Sequence, residues 1–348
     1  MPGAHFDASA GIPNCPALYR GERLLLSPPL GQVSFRNPAE PPPALAAAAA
    51  LRTVSFFENA GSLQHGVSAY DAIGALDDLS LGRLQWNWKG GRGTLVTEFF
   101  AGLEPAVLAA TRDADLASEL MMLVRFSRGQ AHVDDAGAVI AKWRAYIDRP
   151  SSVLADWLAS VEVAAYQDVL IARRLEQAAI LAETWMSERG YPPQTYPVVL
   201  ALFTNFNVHT GLSANAGSLR GVWTPQLDRF LSSLGHDSER IMGFILDWMR
   251  SCEDANVTKK TDAFGAGAGV PGNVDIWSAP DFISSLSGMQ VDLMAYVFLY
   301  ATRSDTQWAD FPKGYSQLDV LQRGGVIALG QGRALGVRFD WKEFLSPH

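Results

Sequence analysis

Cysteine is scarce: the 348 residues hold two, Cys15 and Cys252. Two thiols make no disulfide framework, and a bridge between them cannot be read from sequence. Neither sits in a CxxC or Cys/His cluster of the kind that holds zinc. The six histidines (His5, His65, His132, His209, His236, His348) are scattered without HxH or HExxH spacing. No metal and no cofactor is therefore expected. Positive charge is also in short supply. The chain carries 28 basic and 36 acidic residues, a formal net charge of −8, which argues against nucleic acid as a partner. It leaves a neutral partner such as a glycan open.

Long apolar runs are missing. No segment reaches the roughly 20 residues of a membrane span, and Pro43 to Leu51 is far too short. The N-terminus lacks the basic start, apolar stretch and small-residue cleavage site of a signal peptide. The chain is expected to be made in the cytoplasm, and to reach any outside target by dedicated export or by lysis. GxSxG and Cys/His/Asn patterns are absent, which leaves nucleophilic hydrolase chemistry without support. The Gly-rich run Gly265 to Asn273 lacks the Lys-Ser/Thr ending of a phosphate loop.

What is present is a globular composition, 48% hydrophobic and 18% charged. Nine of the 19 prolines fall in residues 1–43. This stretch reads as an extended arm, with a short strand at Glu22 to Leu26. From Pro43 the order reverses: proline first, then strong helix formers, as at a helix N-terminus. That helix should end near Asn59-Ala60-Gly61, with Glu58 in its last turn. Residues 62–93 have no helical period, and AYDAIGAL and RLQWNW fit short strands about the turn DDLSLG. Beyond Gly93, helices are expected over Thr94–Thr111, Asp115–Arg125, Ala136–Ile147 and Val153 to about Glu188 (with a break possible). Further ones are expected over Val198–His209, Thr224–Leu234, Ser238–Asp254, Asp281–Ala301 and Tyr315–Leu329. Lys259 to Trp277 reads as one long Gly-rich loop. The fold class is α+β, mostly α. Domain organisation is an arm over 1–43 and one catalytic body over 44–348.

The chemistry concentrates between Phe56 and Trp88. A carboxylate at a helix C-terminus faces the negative end of the macrodipole, and Phe56 and Phe57 add an apolar setting. Both favour a protonated Glu58, suited to donate a proton to a glycosidic oxygen. A second carboxylate in a wet place would stay ionised, and Asp77 and Asp78 in the turn fit, with Asp71 weaker. A separation of about 5 Å would give retention of configuration, and about 6.5–9.5 Å inversion. Gln85 and Asn87 alternate with Trp86 and Trp88 along a strand. The amides are assigned to the sugar and the tryptophans to the body. Each residue also has a plainer reading: Glu58 as a solvated helix end, the Asp pair as turn chemistry, the tryptophans as core.

A Glu at a helix end, followed by SLGRLQ (Ser80 to Gln85), resembles the lysozyme superfamily and bacterial lysozyme-like domains of phage lysins and wall-directed toxins. The resemblance implies a lysozyme-like helical body with a small β-hairpin as one wall of a cleft. It implies cleavage of the β-1,4 bond between N-acetylmuramic acid and N-acetylglucosamine. Ser80 and Tyr70 join the substrate-binding candidates. So do Asn205 and Asn207 from LALFTNFNVHTGLS, which is similar to the later helix of such domains. The longer gap from Glu58 to Gln85, with acidic residues inside it, favours a two-carboxylate hydrolase over a single-Glu transglycosylase. Expected partners are the peptidoglycan strand and, for an antibacterial effector, an immunity protein that plugs the cleft. Chitosan or chitin is the alternative glycan, and a non-enzymatic helical interaction protein the alternative without chemistry.

Overall fold

The computed structural model describes residues 44–58, 70–74, 78–147, 149, 152–209, 219–253, 271–302, 315–334 and 337–342. The arm over 1–43, Asp77 and most of the loop before Asn273 lie outside them, as do the side chains of Glu58 and His209. The fold is mostly helical with a few small antiparallel strands. Among the described residues no helix is long and apolar enough to cross a membrane. The chain divides into two compact units. One joins residues 1–61 to 176–348, and the other is the continuous segment 62–175.

The discontinuous unit begins with α1 (Ala44–Glu58). Its residues Ala46, Ala49, Ala50, Val54 and Phe57 are buried and recur at the three- and four-residue spacing of one helix face. Thr53 sits on this buried side because its hydroxyl donates to the Ala49 carbonyl at 2.8 Å. α1 packs along α7 (Tyr196–His209), in which every residue from Val199 to Asn207 is buried. A helix buried on all sides and mostly apolar belongs in the interior. The same holds for α12 (Gly288–Ala301), which packs on α13 (Tyr315–Leu329). Around these lie α8 (Thr224–Ser233), α9 (Ser238–Glu253) and α10 (Asn273–Trp277). A hairpin of β4 (Gln331–Ala334) and β5 (Val337–Asp340) follows α13. Phe339 of β5 stacks on Phe57, with centroids 6.1 Å apart, and so ties the hairpin to the end of α1.

The continuous unit opens with three two-residue strands, β1 (Ile73–Gly74), β2 (Ser80–Leu81) and β3 (Trp86–Asn87). They form an antiparallel sheet in the order β1-β2-β3, with Ile73 opposite Leu81 and Ser80 opposite Asn87. A π-helical turn (Leu95–Phe100) and α2 (Pro105–Leu108) follow. Next come α3 (Ala114–Ser127), α4 (Val133–Arg144) and α5 (Val153–Leu158). α6 (Val161–Arg189) gives its first part to this unit and the remainder to the other. Phe99 is the centre of the core, within 5.2–6.3 Å of Trp86, Phe100, Trp157 and Tyr166.

Several boundaries differ from those expected. The two strands about DDLSLG are three, because Ser80 and Leu81, both buried, form a central strand. The chain reverses later, over Gly82 to Gln85. The helix over Thr94–Thr111 is not continuous. The Tyr166 hydroxyl donates to the Phe99 carbonyl at 2.6 Å, taking it from the helical ladder. Glu104 is then extended before Pro105, as a residue before proline tends to be. Asp281–Ala301 is two helices, α11 (Pro280–Ser285) and α12, since Ser287 and Gln290 form a capping box that starts a new one. The end of the Gly-rich segment is helical, as α10.

Candidate functional site

The sheet of the continuous unit is built around a glycine. Gly82 has φ +72°, and a Cβ there would meet Gln167 Oε1 at 2.4 Å. Fully buried Gln167, on α6, is the fastener. Its Oε1 accepts from the Arg83 backbone N–H at 3.1 Å, and its Nε2 donates to the carbonyls of Tyr70 and Leu158 at 3.0 and 3.3 Å. One buried amide therefore fixes both the start of the β-segment and its turn against a helix. Gln85 holds a left-handed backbone, φ +48°, and its Nε2 donates to the Gly82 carbonyl at 3.0 Å. Asn87 Oδ1 accepts from the Thr94 N–H at 3.3 Å, and the Asn87 N–H donates to the Thr94 hydroxyl at 2.9 Å. Both amides assigned to the sugar thus have one polar atom committed to the turn and the following helix. Trp86 and Trp88 are buried, as is Ser80.

Asp78 is exposed and left-handed, φ +79°. Its Oδ2 accepts from the Gly90 N–H at 3.1 Å, and its Oδ1 stands 4.0 Å from Arg144 Nη1. Asp78, Gln85 and Lys89 are three of the four described non-glycine residues with positive φ. Such strain gathers where surrounding structure over-determines the backbone.

Beside the turn, the substrate-binding candidate Tyr70 meets two residues that the sequence did not single out, Arg83 and Asp168. Arg83 is buried, yet carries a charge. Its Nη1 donates to the Tyr70 hydroxyl at 3.0 Å and to Asp168 Oδ1 at 3.3 Å. The Tyr70 hydroxyl donates to the same Asp168 oxygen at 2.6 Å. The guanidinium lies over the Tyr70 ring, 5.2 Å from its centroid. Burial, then the bond to Asp168, pushes the Tyr70 hydroxyl above the ordinary tyrosine range. The signal available in sequence was the basic residue inside SLGRLQ. Its partner Asp168 is 85 residues away, beyond any local pattern.

The remaining candidates lie in the discontinuous unit. Glu58 is the last residue of α1. Asn207 Nδ2 donates to Gln177 Oε1 at 3.2 Å. Asn205 is buried, and its Oδ1 has no hydrogen-bond partner among the described residues. On α13 an Asp319–Arg323 ion pair is buried at 3.3 Å, with the Arg323 guanidinium over the Phe57 ring. Gln322 next to it is buried, with both amide atoms unpartnered among the described residues. An open cavity of about 560 Å³ lies elsewhere in this unit, lined by Arg189, Tyr191, Thr195, Ser287 and Asp292 among others. There Arg189 is bracketed by Asp228 and Asp292 at 2.5 and 2.9 Å. Tyr191 donates to Asp292, and burial, then that bond, raises its pKa. Of the residues predicted, Tyr70, Asp78, Ser80, Gln85 and Asn87 fall in one unit and Glu58, Asn205 and Asn207 in the other. No known protein family matches this chain, and neither a curated protein nor a solved structure resembles it.

Proposed function

We propose that the protein is a peptidoglycan glycosidase of muramidase type, with a lysozyme-like helical body and a small sheet. The observation that carries this reading is the order of elements. A helix ends on Glu58 behind two buried phenylalanines, Phe56 and Phe57. A small antiparallel sheet follows, with its turn running from Gly82 to Gln85. Glu58 is the general acid. It delivers its proton to the glycosidic oxygen as the bond to C1 breaks. Asp78 or Asp77 faces the positive charge that develops on the sugar, or orients the attacking water. Water supplies the new C1 hydroxyl, and its other proton returns to a carboxylate. Gln85 Oε1 and Asn87 Nδ2 are the amide atoms left for sugar hydroxyl or acetamido groups.

Peptidoglycan lies outside the cytoplasm, so this function needs delivery by a dedicated apparatus or by lysis. An antibacterial effector or a phage-type lysin fits. In the effector case a cognate immunity protein blocks the site.

The test is Glu58→Gln, which keeps the shape and removes the proton. Purified cell walls should lose turbidity with the wild-type chain and not with the variant, a drop in rate of at least about 100-fold. Mass spectrometry should find reducing-end muropeptides, whereas 1,6-anhydro ends indicate a lytic transglycosylase. Wall cleavage that survives Glu58→Gln removes Glu58 from its role. Release of reducing ends from chitosan but not from walls reassigns the glycan.

A further inference from the structure

Arg83 has a polar group that no described residue uses. Its Nη1 serves Tyr70 and Asp168, and its backbone N–H serves Gln167. Its Nη2 is buried and has no hydrogen-bond partner. A buried guanidinium N–H left unpaired is costly, and an unpaired polar group in an otherwise satisfied cluster points to a missing partner. The group stands one residue after Gly82, inside the turn of the sheet. Two side chains stand beside it: Asp168, 56% exposed, and Tyr70, over whose ring the guanidinium lies.

The charges around Arg83 select the partner. Asp168 already neutralises the guanidinium, and Tyr70 Oη and Asp168 Oδ1 already accept from Nη1. A carboxylate added at Nη2 would leave the group net negative in a half-dry place. An ammonium would set donor against donor and cation against cation. A neutral carbonyl oxygen accepts the free N–H and leaves the charge balanced. Taken with the glycosidase reading, on which the choice of a sugar rests, we infer that Arg83 Nη2 is the donor for the acetamido carbonyl of an N-acetylated sugar, reached when the Tyr70 ring moves aside. Arg83 is then a specificity residue. It favours N-acetylated glycan and rejects glucosamine, whose free amine has no carbonyl to offer.

The probes are a β-1,4-linked N-acetylglucosamine oligomer and its fully de-N-acetylated counterpart, titrated calorimetrically into the full chain. The wild type should bind the acetylated oligomer more tightly by about tenfold or more. Arg83→Met and Arg83→Lys should lose that preference by weakening the acetylated oligomer alone. An unchanged preference in a folded variant overturns the inference, as does an equal loss for both oligomers or no binding of either. A readout on the wild type covers the case of a variant that does not fold. The NMR signals of the Arg83 guanidinium and the Tyr70 ring should shift with the acetylated oligomer, and their failure to move at saturation overturns it. The two readings fail separately. Selective binding without wall cleavage would sink the glycosidase and keep the subsite, and cleavage without selectivity would do the reverse.

Discussion

At Gly82 the backbone takes a conformation that costs an L-residue about 1–2 kcal/mol, with no room above it for a methyl group. Gly82→Ala adds that strain to a collision with Gln167 Oε1. It should lower the unfolding free energy by about 2–4 kcal/mol in urea titration. Gln167→Leu attacks the same joint from the helix side. It leaves the Arg83 N–H and the Tyr70 and Leu158 carbonyls without their partner and should cost about 2–4 kcal/mol. The two changes share one contact, so the double variant should lose less than the sum. An additive result would mean that Gly82 and Gln167 act independently. The same scale shows why Gln85 and Asn87 were only half legible. Their alternation with Trp86 and Trp88 was in the sequence, and both tryptophans are indeed core. The capture of Gln85 by Gly82 and of Asn87 by Thr94 depends on a left-handed residue and a reciprocal cap, which no period reveals.

Elements are best understood through what starts and stops them. Asp113 caps α3 by accepting from the Leu116 N–H at 2.8 Å, and Ser152 caps α5 through the Ala155 N–H at 3.1 Å. Asp113→Ala should reduce stability by about 1 kcal/mol, measured by thermal melting. A null result would mean that water caps the helix equally well. Long amphipathic or wholly apolar helices were readable: α3, α7, α9 and α13 begin and end within two residues of their expected bounds. Where a reading failed, a tertiary contact was responsible. The helix after Gly93 is interrupted where Tyr166, 67 residues away, takes a backbone carbonyl. The hairpin β4–β5 escaped notice because its packing comes from elsewhere. Trp277 Nε1 donates to the Gln331 carbonyl at 2.9 Å, and Asn273 bonds Arg333 at 2.6 and 2.7 Å.

Across the whole molecule, half-buried tyrosines weaken the fold at alkaline pH. Burial pushes Tyr166 and Tyr196 up to about 12 and raises Tyr70 and Tyr191 as well. The unfolded chain loses these protons near pH 10, while the folded chain keeps them. The unfolded state therefore binds fewer protons, and stability falls as pH rises above about 10, until the folded-state values are passed. Melting temperature should hold below pH 9 and decline through pH 10 to 12. Tyr166→Phe should flatten part of that decline. Spectrophotometric titration should show a fraction of the nine tyrosines ionising late, and a single transition near pH 10 would contradict this. The affected tyrosines are spread over both units, so the decline is a property of the whole chain.

By itself the sequence determined the helical character, the position of most long helices and the small β-segment after Glu58. Each depends on local propensity, on a short period or on residue type. The tertiary structure alone decided the third strand, the fastening of the sheet by Gln167 and the pairing of Arg83 with Asp168. It also decided which polar atoms are left over. These depend on groups tens of residues apart meeting at hydrogen-bond distance, and a buried polar atom is satisfied or not only once the chain has closed around it.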